Sequence, residues 1–380
     1  SLEGERVLLT GAGGSIGRVL TEVLLSQSPA RLTLLDSSEQ ALSALGRQLS
    51  LPVSGASDPI RLCLGDLRTE IGRARALAGE PTVVIHTAAY KGVPLLEGQP
   101  VAAVENNLLA LLQWARECQE EGVGRFVFLS TDKAVAPVSV MGATKRLAEQ
   151  ALLCAGPGML DTDSPETVSS KIASSESGPM ERRVLRLCNV WGSQGSVVPR
   201  FWRRLQSGRP LEVTDPAMRR FFVSPGVAAR LAVATAAVAE SDPLLCVPDV
   251  ETPVQIGTLA RRLCRAAGQR PPSDHIEVVG PRPGERVAES LLAAEEEGGR
   301  WLGPSLRRVQ PAASGPPLEQ GPPLEQMRAT LEKLRVLCKT GSPKEVREAV
   351  LGACKGEEGQ GKFRKTGQTR GDGCPSPTGE

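Results

Sequence analysis

The run Ser130-Thr131-Asp132-Lys133 places hydroxyls, a carboxylate and an amine in consecutive positions, and Lys145 follows twelve residues later in Ser139-Val-Met-Gly-Ala-Thr-Lys145. A carboxyl group raised by burial can donate a proton at neutral pH. An amine lowered by desolvation or nearby positive charge can accept one. Thr131, Asp132, Lys133 and Lys145 are therefore candidates for acid–base work. An Asp-Lys pair at a turn is also what a surface ion pair looks like, and spacing alone leaves both readings open.

A second group of residues offers a place for phosphate. Gly11-Ala-Gly-Gly-Ser-Ile-Gly17 carries glycines at 11, 14 and 17, with Ser15 and Ile16 completing the turn between an apolar run and a helical one. Glycine there permits the tight turn and lets backbone amides approach a pyrophosphate at a helix N-terminus. Asp36 follows nineteen residues after Gly17. Its carboxylate suits the adenosine ribose of NAD and would repel the 2′-phosphate of NADP. Asp66 and Leu67, after a third apolar run, stand where they meet adenine, although Asp66 reads equally well as a helix cap. Ala88 and Ala89 are small enough for a dinucleotide to lie against the backbone.

These residues need a frame that brings them to one edge. Apolar runs at 6–10, 32–35, 60–64, 83–86, 126–130 and 184–187 alternate with helical stretches such as 101–119 and 139–154. That alternation predicts an α/β fold, a Rossmann-type doubly wound parallel sheet with its ligands at the carboxyl ends of the strands. Residues 1–200 form the NAD-binding domain on this reading, with a flexible insertion over 156–181. Residues 201–302 form a smaller, mostly helical substrate-binding lid with elements that return to the sheet. Residues 303–380 read as a low-complexity linker with GPPLEQ in tandem, two short helices at 327–338 and 343–354, and a disordered tail.

Composition narrows the partners. The 380 residues carry 45 basic and 43 acidic side chains, a net charge of +2 without long basic runs, so no nucleic acid is expected. Nine cysteines without a C-x-x-C pair and only two histidines, His86 and His275, argue against a metal site or a disulfide framework and for a reducing compartment. No stretch approaches eighteen consecutive apolar residues, so no membrane span is expected in this chain. The chain opens Ser-Leu-Glu without a signal-peptide pattern. A cytoplasmic location is expected, or membrane association through an upstream segment.

Several motifs in order carry a resemblance: Thr10–Gly17, Ala88-Ala-Tyr-Lys91 with Val93-Pro94, Leu129–Ala134, Val140–Lys145, Asn189 with Gly195–Pro199, and Arg282-Pro-Gly-Glu285. Over about Val7 to Leu292 the chain resembles the capsule-type UDP-N-acetylglucosamine 4,6-dehydratases, extended short-chain dehydrogenases of polysaccharide and unusual-sugar biosynthesis. The resemblance implies NAD as cofactor, a UDP-sugar substrate and a homo-oligomer. It implies Lys133 as the base for the sugar C5 proton, with an amine lowered towards neutrality by Lys91, Lys145 and the oxidised nicotinamide. Asp132 is then the acid for the C6 hydroxyl, Thr131 a relay for the C4 hydroxyl, and Lys145 the holder of the nicotinamide ribose. Lys91 and Met141 face the substrate, while Asn189, Arg220 and Arg282 lie near the diphosphate or uridine, with Glu285 orienting Arg282.

Met141 occupies the position of the usual tyrosine, as in the membrane-anchored branch of that family, and the one tyrosine of the chain is Tyr90. Gly92 and Gln194 depart from the family's usual histidine and arginine. A nucleotide-sugar 4-epimerase or reductase, and a redox-silent NAD-binding scaffold, are the competing readings.

Overall fold

The computed structural model describes residues 1–50, 58–154, 179–240, 243–250, 252–269, 275–311 and 322–354. Strands β1 (Arg6–Thr10), β2 (Arg31–Asp36), β3 (Ile60–Leu64), β4 (Val83–His86), β5 (Arg125–Thr131) and β6 (Glu181–Leu187) pair in parallel in the order β3-β2-β1-β4-β5-β6. The interiors of β1, β2, β4 and β5 are near-continuous apolar runs, buried on both faces, because helices cover both sides of a parallel sheet. Leu244–Pro248 adds a further parallel strand beside β6. The order turns back between β1 and β4, and a ligand crevice opens there, beyond the strands' carboxyl ends.

The helices that matter most are those that close on that crevice. Helix α1 (Ser15–Leu25) starts on the glycine turn, and Gly17 is obligatory there because a Cβ would collide with the Gly11 and Ala12 carbonyls. Helix α4 (Val93–Glu97) follows α2 (Glu39–Gln48) and α3 (Glu70–Leu77) and precedes one long helix over 100–120, in which α5 (Pro100–Val104) and α6 (Ala110–Glu120) are joined by the π-helical turn Glu105–Leu109. Helix α7 (Val140–Leu153) is capped by the Ser139 hydroxyl, which accepts from the Gly142 amide at 3.1 Å. Gly142 lies against the Lys133 carbonyl, where any side chain would clash, so α7 and the turn after β5 are locked together.

The structure gives finer bounds than the sequence. The boundary at 302/303 cuts through a hairpin: Glu296–Gly303 and Leu306–Pro311 pair antiparallel and extend the main sheet beyond Leu244–Pro248. Within 201–302, Pro225–Ala237 and Leu244–Pro248 return to the main core, which leaves a smaller lid. Its own core is a cluster of Phe201, Leu205, Leu211, Val213, Met218, Ile256, Ala260 and Cys264, built from helices 197–206 and 256–266 and short strands. Glu181, the last residue of the expected insertion, begins β6; residues 156–178 of that segment, the first GPPLEQ copy and the tail from 355 lie outside the described residues.

Two C-terminal helices run over Leu324–Thr340 and Pro343–Ala353, and bury Met327, Leu331, Leu334, Val346 and Val350 against the 100–120 helix and α7. Arg347 pairs with Glu97 at 3.0 Å, and Glu97 accepts the Val140 amide at 2.7 Å. Among the described residues no helix is long and apolar enough to cross a membrane.

The hairpin is tied to the core by buried charge. Arg186, wholly buried on β6, is gripped by Glu149 of α7 and by Glu296. Burial opposes ionisation of Glu296, but the Arg186 guanidinium outweighs it and brings the carboxyl down to about 2. Since the folded pKa is depressed, the contribution is complete above the ordinary carboxylate value and is lost as pH falls from about 4.5 towards about 2. Glu296→Gln should lower stability by about 3–5 kcal/mol in urea unfolding near neutral pH and flatten that acid-side loss.

Candidate active site

A cleft of about 720 Å³ runs along the carboxyl ends of β1, β2, β4, β5 and β6. One arm is walled by the glycine turn, with Gly11, Gly14, Ser15, Ile16 and Gly17 all facing it. Asp36 stands at the far end of this arm, its Oδ2 accepting the Gly13 amide and its Oδ1 the Ser38 amide, both at 2.9 Å. The carboxylate is thus fixed with lone pairs to spare. Asp66, Leu67, Ala88 and Ala89 line the same arm. Asp66 does not cap the next helix; Thr69 does. Its carboxylate instead chelates Arg68, and that hydrogen bonding holds it below the usual range.

The other arm ends at the turn after β5. Asp132 is 1% exposed, and its Oδ1 accepts from the Thr131 hydroxyl at 3.0 Å and from Lys133 Nζ at 2.9 Å, while Oδ2 has no partner. Burial first, and then the neighbouring Glu289 carboxylate, raise Asp132 to about 6 against the pull of Lys133. Asp132 does not itself line the cleft; Thr131 and Lys133 do, and stand between it and the space.

Lys133 departs from expectation. Its ammonium has three acceptors: Asp132 Oδ1, Glu289 Oε1 at 3.1 Å and Asn189 Oδ1 at 3.3 Å. Burial alone would lower this amine, but two carboxylates outweigh it and hold the pKa up, so the resting group is a cation and not the near-neutral amine expected. The low amine is instead Lys145. It donates to the Leu129 carbonyl at 3.0 Å and lies 4.4 Å over the Phe128 ring, and burial brings it down to about 7. Met141, one helical turn before it, is 4% exposed and lines the cleft. His86 beside them stays neutral, pushed to about 3 by burial and then by Lys145.

The expected substrate residues divide. Lys91 and Asn189 line the cleft, as do Gly92 and Gln194. Arg220 and Arg282 do not. Arg220 turns inward to Glu289 at 3.2 Å and to the carbonyls of Arg219, Arg286 and Val287, because that carboxylate is its nearest desolvated partner. Arg282 reaches Glu212 at 3.5 Å, and Glu285 holds the Arg282 backbone amide and not its guanidinium.

Residues with no expected role also build the site. Glu289 is one, four positions past Glu285, with no local pattern that ties it to Asp132. Asn107 is another: set on the π-helical turn, its carboxamide accepts the Tyr90 amide and donates to the Tyr90 carbonyl, both at 2.8 Å, which fixes the wall that carries Tyr90 and Lys91. Gly195 and Ser196 lead into the uncapped N-terminus of the 197–206 helix, where Arg200 Nε is buried and unpartnered.

The chain is 35% identical over 297 residues to the capsular polysaccharide biosynthesis protein CapD of Staphylococcus aureus, covering 78% of this chain and 46% of that protein. It thus spans about half the length of that relative. It is 28% identical over 295 residues to a UDP-N-acetylglucosamine 4,6-dehydratase (inverting) of Campylobacter jejuni, covering 77% of this chain and 79% of that one. The solved UDP-glucose 4-epimerase of Thermus thermophilus, in complex with NAD, superposes with a TM-score of 0.58 at 22% identity over 93% of this chain and 99% of that one. With the family model for polysaccharide biosynthesis proteins matched over residues 7–306, four fifths of its length and all of the cleft, this chain belongs to that family.

Proposed function

We propose that the protein is an NAD-dependent nucleotide-sugar 4,6-dehydratase acting on a UDP-N-acetylhexosamine, UDP-N-acetylglucosamine foremost. The observation that carries this reading is the buried Lys133–Asp132 pair at 2.9 Å at the end of the cleft, since removing a proton at C5 and a hydroxyl at C6 requires a base and an acid side by side. Relatives named as capsular biosynthesis protein and 4,6-dehydratase support it.

The glycine turn and Asp36 fit NAD: free amides and a close backbone approach for the pyrophosphate, and a fixed carboxylate for the ribose hydroxyls. When bound, NAD supplies a hydride acceptor at C4 and returns that hydride to C6. The remaining work is proton transfer by the chain's own groups. Moving one proton from Lys133 Nζ to Asp132 Oδ1 turns the ion pair into a neutral amine and a neutral acid, so one step creates both the base and the acid. The Lys133 amine then takes the C5 proton, and the Asp132 proton passes through the Thr131 hydroxyl to the departing C6 oxygen, which leaves as water. The dyad is again an ion pair. Lys133 next returns a proton to C5. Lys145, which is partly neutral near pH 7, takes the C4 hydroxyl proton that Met141 cannot accept and releases it to solvent as Lys133 recovers its own. The sugar diphosphate lies towards the N-terminus of helix 197–206, with Arg200 of that helix as its cation.

A 4-epimerase would use the same cofactor arm and only the C4 step, and the likeness of fold to a solved epimerase keeps it as the second reading. Incubation with UDP-N-acetylglucosamine separates the two. Mass spectrometry should show loss of one water; an isobaric C4 epimer would favour the second reading, and an unchanged sugar with NAD bound would point to a scaffold.

Gly17→Ala forces a Cβ against the Gly11 carbonyl and should abolish NAD binding in calorimetric titration. Lys133→Met or Asp132→Asn should cut water loss by about 10²- to 10⁴-fold with NAD binding retained. Protonation of Asp132 while Lys133 is charged leaves no base, so wild-type kcat should fall as pH drops through about 6.

A further inference from the structure

Glu289 belongs to no step above, yet its side chain is only 5% exposed and lies in direct contact with the Lys133 ammonium. A carboxylate is seldom buried beside a second carboxylate unless the pair serves a purpose or is fully neutralised. Here neutralisation is complete on paper: Oε1 meets Lys133 at 3.1 Å and Arg220 at 3.2 Å, and Oε2 accepts from Asn189 at 3.2 Å. The partners come from three parts of the chain. Lys133 follows β5, Asn189 follows β6, and Arg220 sits on a lid strand whose neighbour Arg219 bridges to Ala288, next to Glu289 itself. The charged or titratable groups that face this carboxylate are therefore Lys133, Asp132, Arg220 and the Cys188 thiol, and burial holds that thiol neutral at about 12.

We infer that Glu289 is the positioning residue of the reaction centre: it fixes Lys133 Nζ from the lid side and, by keeping its own negative charge next to Asp132, assigns the mobile proton to Asp132. The inference rests on the dehydratase reading for its place in catalysis, but its electrostatic content stands apart from it. Consider the proton that moves from Lys133 to Asp132. The transfer forfeits the attraction between the ammonium and Glu289, and it relieves the repulsion between the Asp132 and Glu289 carboxylates. The two changes oppose each other, so the neutral amine and acid are reached without the full cost of breaking an isolated ion pair. Glu289 is the better anion of the two carboxylates, because Lys133 and Arg220 outweigh its burial, whereas Asp132 has one oxygen with no donor at all. The contact of the 287–289 segment with the turn after β5 and the charge state of the base are in this way set by one side chain.

The test uses the 380-residue chain with NAD bound, as wild type, Glu289→Gln and Glu289→Asp. Carbon-13 NMR of aspartate-labelled protein, with Asp132→Asn to assign the resonance, follows the Asp132 carboxyl directly. Glu289→Gln keeps the shape and removes the charge. The Asp132 titration should move to lower pH by on the order of one unit, the acid limb of kcat should move with it, and kcat at neutral pH should fall on the order of 10²-fold with KM for the nucleotide sugar little changed. Glu289→Asp keeps the charge and should hold the titration near its wild-type place. An Asp132 titration that stays put in a folded Glu289→Gln, or that falls alike in both variants, would overturn the inference and leave Glu289 a packing residue, visible only in the melting temperature. If wild type dehydrates no sugar while the titration still shifts in Glu289→Gln, the dehydratase reading fails and the assignment of Glu289 stands.

Discussion

Two buried carboxylates can both stay charged in one pocket only if a cation lies between them. Lys133 is that cation, between Asp132 and Glu289, and most of the architecture near the crevice serves to hold it. Its three donors reach three acceptors that arrive from the turn after β5, from Asn189 just past β6 and from the lid return. Gly142 lets α7 press on the Lys133 carbonyl, which sets the height of the turn. Lys145 hangs from that same helix, fixed on the Leu129 carbonyl. Displacing any of these elements would leave a charge buried without a partner, a cost of several kcal/mol that the fold avoids by rigidity.

The rigid frame extends outwards through two further charge contacts. Glu97 joins α4, the first amide of α7 and Arg347 of the C-terminal helix pair, so that pair buttresses the helix that carries Met141 and Lys145. Arg186 joins β6, α7 and the terminal hairpin through Glu149 and Glu296. Both contacts tie late parts of the chain to the same helix.

Much of this was legible from the sequence, and what was not had physical reasons. The parallel strands announce themselves by continuous apolar runs, and the glycine turn with Asp36 places one arm of the cleft without further help. Thr131, Asp132, Lys133 and Lys145 meet because they sit at one strand end and on the helix that follows it. The hairpin 296–311 was missed because Glu-Glu-Gly-Gly-Arg is polar and rich in glycine, as an edge strand with one open side can be. Glu289 was missed because no spacing links it to Asp132; only the folded lid return brings it there. Glu289 adds to Asp132 in holding Lys133 charged against its burial. The inward turn of Arg220 has the same origin, since its partner was invisible.

The account stands or falls on whether Lys133 acts as the base, although it rests as a cation. The most direct measurement follows hydrogen exchange at C5 of UDP-N-acetylglucosamine in deuterated water, with NAD bound, for wild type and Lys133→Met. The account predicts deuterium at C5 of the wild-type product and none above background with the variant. Exchange by Lys133→Met at the wild-type rate would place the base elsewhere and contradict the division of labour drawn from this site.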